Sequence, residues 1–113
     1  MLDDVASLTL QTAIGGLGQR ERVTANNIAN IETPGFTASQ VSFESNLAAA
    51  VAAGDPTAAT TSVDATTDPA GANGNNVSLD SEIVTATKTT LQEQLLTGAL
   101  TAKYGLISTV LKG

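Results

Sequence analysis

Leu95-Leu96-Thr97-Gly98-Ala99-Leu100-Thr101-Ala102-Lys103-Tyr104-Gly105-Leu106-Ile107-Ser108-Thr109-Val110-Leu111 holds apolar residues at ten of its seventeen positions. They do not fall on one stripe. Leu96, Leu100, Lys103 and Ile107 share one helical face, and Leu95, Ala99, Ala102 and Leu106 share another. A helix that is apolar nearly all round must be buried on several sides, and one partner helix from the same chain covers only one of them. Gly98, Ala102 and Gly105 add small residues on nearly one face, where another helix can approach closely. The stretch therefore predicts a helix packed among other subunits. A helical-hairpin dimer or a four-helix bundle satisfies the same pattern.

Working toward the N-terminus, no proline interrupts the chain from Leu79 to Lys112. That is about 50 Å of helix at ~1.5 Å per residue. Ser78 or Asp80 can cap it, and with Asp80 as cap Leu79 and Val84 stand at hydrophobic-staple positions. A second helical pattern opens the chain near Leu2 or Asp3, with Asp3 and Asp4 suited to the positive end of a helix dipole. Leu10, Ile14, Leu17, Thr24, Ile28 and Ile31 give it one face, interrupted by Glu21. Gly15, Gly16 and Gly18 either permit close packing or mark a kink. Thr33-Pro34-Gly35 ends the element, because a residue before proline is biased out of the α region.

Between these helices the composition changes. From Ala48 to Asn76 there is no Leu, Ile, Met or aromatic residue. Such a stretch buries too little apolar surface to offset roughly 1–2 kcal/mol of backbone entropy per residue. Ala48 to Ala53 can continue a short helix begun near Phe43, stopped by Gly54-Asp55-Pro56. The expected fold is all-α. Two long terminal helices, in 1–33 and 79–113, form a coiled-coil-like hairpin. A turn and a mobile Ala/Thr/Gly/Pro/Asn-rich segment at 34–78 joins them, and the whole is one domain.

The 113 residues carry a net charge of −6, three aromatics (Phe36, Phe43, Tyr104) and no His, Cys or Trp. Thiol catalysis, His-assisted nucleophilic catalysis, Cys/His zinc sites and disulfides are excluded by these counts. The acidic balance argues against nucleic acid. Leu95–Leu111 is too short and too often interrupted by polar residues to span a bilayer. Met1-Leu2-Asp3-Asp4 is acidic where a secretory signal peptide is basic. Asp3-Asp4 lacks a third ligand for a metal, and Arg20-Glu21-Arg22 reads as a solvated helix face rather than a phosphate site. No catalytic site, cofactor, metal or small-molecule substrate is expected. The candidate assembly interface is Leu10, Ile14 and Leu17 on the first helix, with Leu91, Leu95, Leu96, Ala99, Leu100, Ala102, Leu106, Ile107 and Val110 on the last.

Ala25-Asn26-Asn27-Ile28-Ala29-Asn30-Ile31-Glu32-Thr33-Pro34-Gly35-Phe36 resembles the N-terminal signature of the bacterial flagellar axial proteins, the family of rod, hook and hook-associated subunits. Its motif residues here are Ala25, Asn26, Asn27, Ile28, Ala29, Asn30, Thr33, Pro34, Gly35 and Phe36. Asn amides are poor inside helices but can satisfy orphan carbonyls at a helix end or reach a neighbouring chain. Val41-Ser42-Phe43-Glu44 with Leu47 looks like the segment that follows this motif in the short proximal rod members. Asn75-Asn76-Val77-Ser78-Leu79-Asp80-Ser81-Glu82 looks like the family's lead into its last helix. Position 93, two after Leu91, holds Glu where the family usually has an aromatic.

The resemblance implies a structural subunit of the flagellar basal-body rod, the drive shaft for motility. It further implies torque transmission, lining of the export channel, and export across the inner membrane by the flagellar type III apparatus without a cleaved signal peptide. The implied partners are the chain itself, other flagellar rod proteins, and membrane-ring and export-gate components. A small helical adaptor or dimerisation module, or another short rod protein of the same family, are the alternatives.

Overall fold

The computed structural model describes residues 4–112; Met1, Leu2 and Asp3, with the helix start expected there, lie outside them. Helix α1 spans Val5–Ala29. Asp4 caps it, its carboxylate accepting the Ser7 N–H at 2.8 Å. The last helix, α3, spans Leu79–Lys112. Ser78 precedes it: its carbonyl accepts the Glu82 N–H at 2.9 Å and its hydroxyl the Ser81 N–H at 3.4 Å, so Ser78 rather than Asp80 is the cap.

The two helices run antiparallel. Asp4 at the start of α1 pairs with Lys103 at 3.0 Å, and Asn27 near its end reaches Glu82 on the first turn of α3. The hairpin is elongated, 64 Å along its longest axis. Its most deeply buried side chains are polar: Ser7 and Asn27 on α1, and Thr89 on α3 at 1% exposure.

The central segment departs from the expectation. The fold is mainly α rather than all-α, because 34–78 carries a two-stranded antiparallel sheet, β1 (Ser39–Ser42) with β2 (Ser62–Ala65). The register pairs Ser39 with Ala65 and Val41 with Val63. Between the strands lie the short helix α2, Glu44–Ala52, and a 3-10 turn at Pro56–Ala58. The helix from near Phe43 into the alanines is therefore present. It ends at Gly54, whose φ of 80° closes the turn. Burial does not hold β2, which is exposed along its whole length. Hydrogen bonds do: the ladder itself, Thr66 N–H to the Ala38 carbonyl at 2.8 Å, and Asn46 Nδ2 to the Thr60 carbonyl at 2.9 Å. This is how a segment without large side chains acquires a defined path.

One compact core joins these pieces: Leu17, Val41, Phe43 and Leu47, with Ala13, Val23, Val51, Ala59 and Leu96 packed against it. Gly16 lies beneath the Phe43 ring. A Cβ at position 16 would stand 2.6 Å from a ring carbon, so only glycine admits the aromatic there. Of the three clustered glycines, this one serves close packing; a Cβ on Gly15 would meet nothing. Arg20 completes the corner. Its guanidinium stacks over Phe43 at 4.9 Å, forms two 2.7 Å bonds to the Glu44 carboxylate, and donates to the Val41 carbonyl at 2.8 Å. Arg20 is thus a structural clamp rather than a solvated charge.

Candidate functional site: an asparagine clasp and an uncovered helix

The motif residues lie where α1 ends. Asn30 terminates the helix, and its Nδ2 donates to the Asn26 carbonyl at 2.9 Å while its Oδ1 accepts the Thr33 hydroxyl at 3.1 Å. That is the orphan-carbonyl role open to an Asn at a helix end. Gly35 takes φ 74° and donates its N–H to the Asn73 carbonyl at 2.9 Å. Gly74, at φ 80°, approaches so closely that a Cβ there would stand 3.2 Å from the Gly35 Cα. Ala25, Asn26, Ala29, Thr33 and Pro34 are exposed, and Ile28 and Phe36 are half-buried.

Asn27 is the centre of the arrangement, with 1% of its surface exposed. Its amide accepts the Ser39 N–H at 3.0 Å and donates to the Ser39 carbonyl at 2.8 Å. The side chain so pairs with β1 as a further strand would. The same Nδ2 donates to Glu82 Oε1 at 3.1 Å. One carboxamide thereby joins α1, β1 and α3. Asn75 and Asn76 do the matching work from the other end of the loop. Asn75 donates to the carbonyls of Asn30 and Thr33, both at 2.8 Å, and accepts the Val77 N–H at 2.8 Å. Asn76 accepts the Ala38 N–H at 2.7 Å and donates to the Thr66 hydroxyl at 2.9 Å. The motif and the Asn-Val lead into α3 are two halves of one clasp. The sequence marks both halves but not their pairing, since the partners lie about 40 positions apart.

The second feature is the distal part of α3. Leu10 and Ile14 are half-buried on α1, and Leu17 is in the core. On α3, Leu96, Leu100 and Ile107 are half-buried, whereas Leu91, Leu95, Ala99, Ala102, Leu106 and Val110 are exposed. Leu106, Val110 and Leu111 expose 69%, 75% and 73% of their surfaces. Among the described residues no helix is long and apolar enough to cross a membrane, and no cluster of acidic, His or Cys residues could hold a metal.

Four carboxyls sense the fold. Asp4 is held at about 2 by the Ser7 N–H and by Lys103, and Glu44 at about 2 by Arg20. Glu82 is pushed up by burial, partly offset by the Asn27 amide. Glu93 is pushed up by burial and by Glu21, which faces it from α1 within hydrogen-bonding reach. Glu93 Oε1 is buried with no hydrogen-bond partner among the described residues, so nothing there offsets the burial that disfavours its anion.

The signs follow. The two lowered groups contribute stability above their ordinary values of 3.8 and 4.5, lost as pH falls toward 2. The raised groups oppose folding at neutral pH and cease to do so as they protonate. Stability is therefore expected to peak in mild acid. Glu93→Gln is expected to raise the thermal midpoint at about pH 7 and to raise it less at about pH 4, because Glu93 takes up its proton more readily than a free glutamate does. Melting curves read by circular dichroism at the two pH values check this; an equal shift at both would contradict it.

A family described as flagella basal body rod protein matches residues 10–37, from mid-α1 through the Thr-Pro-Gly turn. The flagellar basal body rod protein FlgB of Bacillus subtilis (strain 168) is 31% identical over 117 aligned positions, covering 92% of this chain and 91% of that protein. The alignment thus takes in the clasp, the central segment and α3 together, and the chain belongs to the flagellar basal-body rod protein family, in its FlgB type.

Proposed function

We propose that this chain, a structural subunit of the basal-body rod, transmits torque along the drive shaft and helps line the export channel. It reaches that place through the flagellar type III route without a cleaved signal peptide. It contacts copies of itself, other rod proteins, and membrane-ring and export-gate components. The observation that carries this reading is the uncovered distal α3. Helix burial between subunits is the chemistry on offer, at roughly 1.5–3 kcal/mol for each Leu fully buried.

The proposed assembly surface runs over Leu91, Leu95, Ala99, Ala102, Leu106 and Val110, with Leu10, Ile14, Leu96, Leu100 and Ile107 at its edge; Leu17 is occupied inside the chain's own core. The small core fits a chain that must be threaded unfolded, because few large contacts have to be undone.

Deleting the gene in its own bacterium and restoring it with an epitope-tagged copy tests the role. Loss of swimming on deletion, its recovery with the tagged copy, and co-purification of the tag with basal bodies are expected. Swimming cells whose purified basal bodies lack the tagged chain would overturn the proposal.

A further inference from the structure

We infer that the apolar groove between α1, α2 and α3 receives the last two turns of α3 from a second copy of this chain, in a head-to-tail contact. The groove encloses about 580 Å³ and is walled by Ala13 and Leu17, Leu47 and Val51, and Leu95 and Leu96. Gln92 also lines it, and its Oε1 is a buried acceptor with no donor among the described residues. The groove therefore calls for an apolar insert that also brings a hydrogen-bond donor.

The end of α3 has those properties. It runs past Lys103, which already pairs with Asp4 at the start of α1. Leu106, Val110 and Leu111 are exposed on it, and Ser108 and Lys112 supply a hydroxyl and an ammonium. Lengths agree: Tyr104 to Leu111 is about 11 Å and the α2 wall about 13 Å at ~1.5 Å per residue.

Charge selects the same pairing. All eleven acidic side chains of the sequence lie before position 94, and beyond it the charged side chains are Lys103 and Lys112. The groove's own charged residue, Glu44, is already paired with Arg20, so the attraction on a basic tail is that of the acidic surplus of the body as a whole, and two such tails repel each other. Groove and tail are different surfaces of one chain, so their contact is heterologous. It generates an open series rather than a closed dimer.

The inference rests on the rod-subunit reading for its biological sense and is tested apart from it. The chain has no cysteine, so Ala48→Cys at the groove and Leu111→Cys on the tail are the only thiols present. Both positions are exposed, and unchanged far-UV circular dichroism confirms that the variants fold. Within one chain the two cannot bond: position 111 lies about 24 Å beyond the groove residue Leu95 at ~1.5 Å per residue, and a disulfide needs Cα atoms within ~7 Å.

Oxidising the purified double variant at high protein concentration is expected to give a ladder of disulfide-linked multimers. Mixing the two single variants should give the mixed dimer, at least about tenfold over either homodimer. Adding Lys112→Glu to the double variant should thin the ladder, since the steering charge is reversed.

A Leu111→Cys homodimer as abundant as the mixed one would mean a two-fold tail contact and overturn the inference. So would the absence of a ladder, including the case in which wild type binds vesicles of anionic phospholipid through this tail instead. A tagged chain found in basal bodies without the ladder would sink the groove contact and leave the rod role standing. A ladder from a chain absent from basal bodies would do the reverse.

Discussion

Asn27→Ala is expected to destabilise the isolated chain by about 3 kcal/mol. The cost is not that of one hydrogen bond. The substitution strips a partner from the Ser39 N–H and from its carbonyl, at a position where the native side chain is fully buried. Each backbone group left unsatisfied costs roughly 1–3 kcal/mol. The third bond restrains Glu82, whose carboxyl is already disfavoured as an anion by burial; without the Asn27 amide that anion is worse placed.

Asn27→Asp is expected to be at least as harmful at neutral pH. An aspartate can accept from the Ser39 N–H but turns an oxygen toward the Ser39 carbonyl and toward Glu82. That defect should ease as the pH drops and either carboxyl gains a proton, whereas the defect of the alanine variant should not. Urea unfolding followed by circular dichroism at two pH values distinguishes them. An alanine variant within about 0.5 kcal/mol of wild type would show that the clasp does not hold the fold together.

The clasp also marks where the sequence stops being readable. The two long helices follow from local signals: acidic residues before an apolar pattern, a proline-free run from Leu79, and a Thr-Pro-Gly turn that bounds α1 from outside, the helix itself ending earlier, at Ala29, where Asn30 caps it. The stop at Gly54 and the short alanine helix before it were equally local. The strands were not. Each has four residues and a single valine, and β2 buries nothing, so no alternation of apolar and polar residues announces them. Their position is set by Asn27 against Ser39 and by Asn76 against Ala38, contacts between distant positions that carry no periodicity.

Arg20 and Gly16 teach the same lesson. Arg-Glu-Arg looks like a solvated face until Glu44 and Phe43 are brought beside Arg20. A glycine cluster looks like a weak helix until one member is found under a ring. The apolar character of 95–111 was legible as composition. Which of its residues the chain covers for itself was not, because that depends on how far α1 reaches along α3.

That distinction decides which substitution isolates assembly from folding. Leu100 is half-buried, so an aspartate there threatens the hairpin as well as any subunit contact. Leu106 is 69% exposed and beyond the Asp4–Lys103 pair. Leu106→Asp is therefore expected to change the stability of the isolated chain by no more than about 0.5 kcal/mol, the range for exposed sites without special contacts.

In an assembled rod the same change acts twice. It forfeits roughly 1.5–3 kcal/mol of leucine burial and asks a carboxylate to enter the contact without a partner. Even the first part alone weakens one contact about tenfold to a hundredfold, at 1.4 kcal/mol per factor of ten. Because every copy carries the lesion, the loss recurs at each contact in the series.

The expected result is a chain that is folded, exported and absent from basal bodies, in cells that do not swim. Leu106→Met, which keeps the apolar volume, should swim as wild type does. Soft-agar spreading together with immunoblots of purified basal bodies reads both. If the Leu106→Asp variant swims normally, the uncovered end of α3 is not an assembly surface.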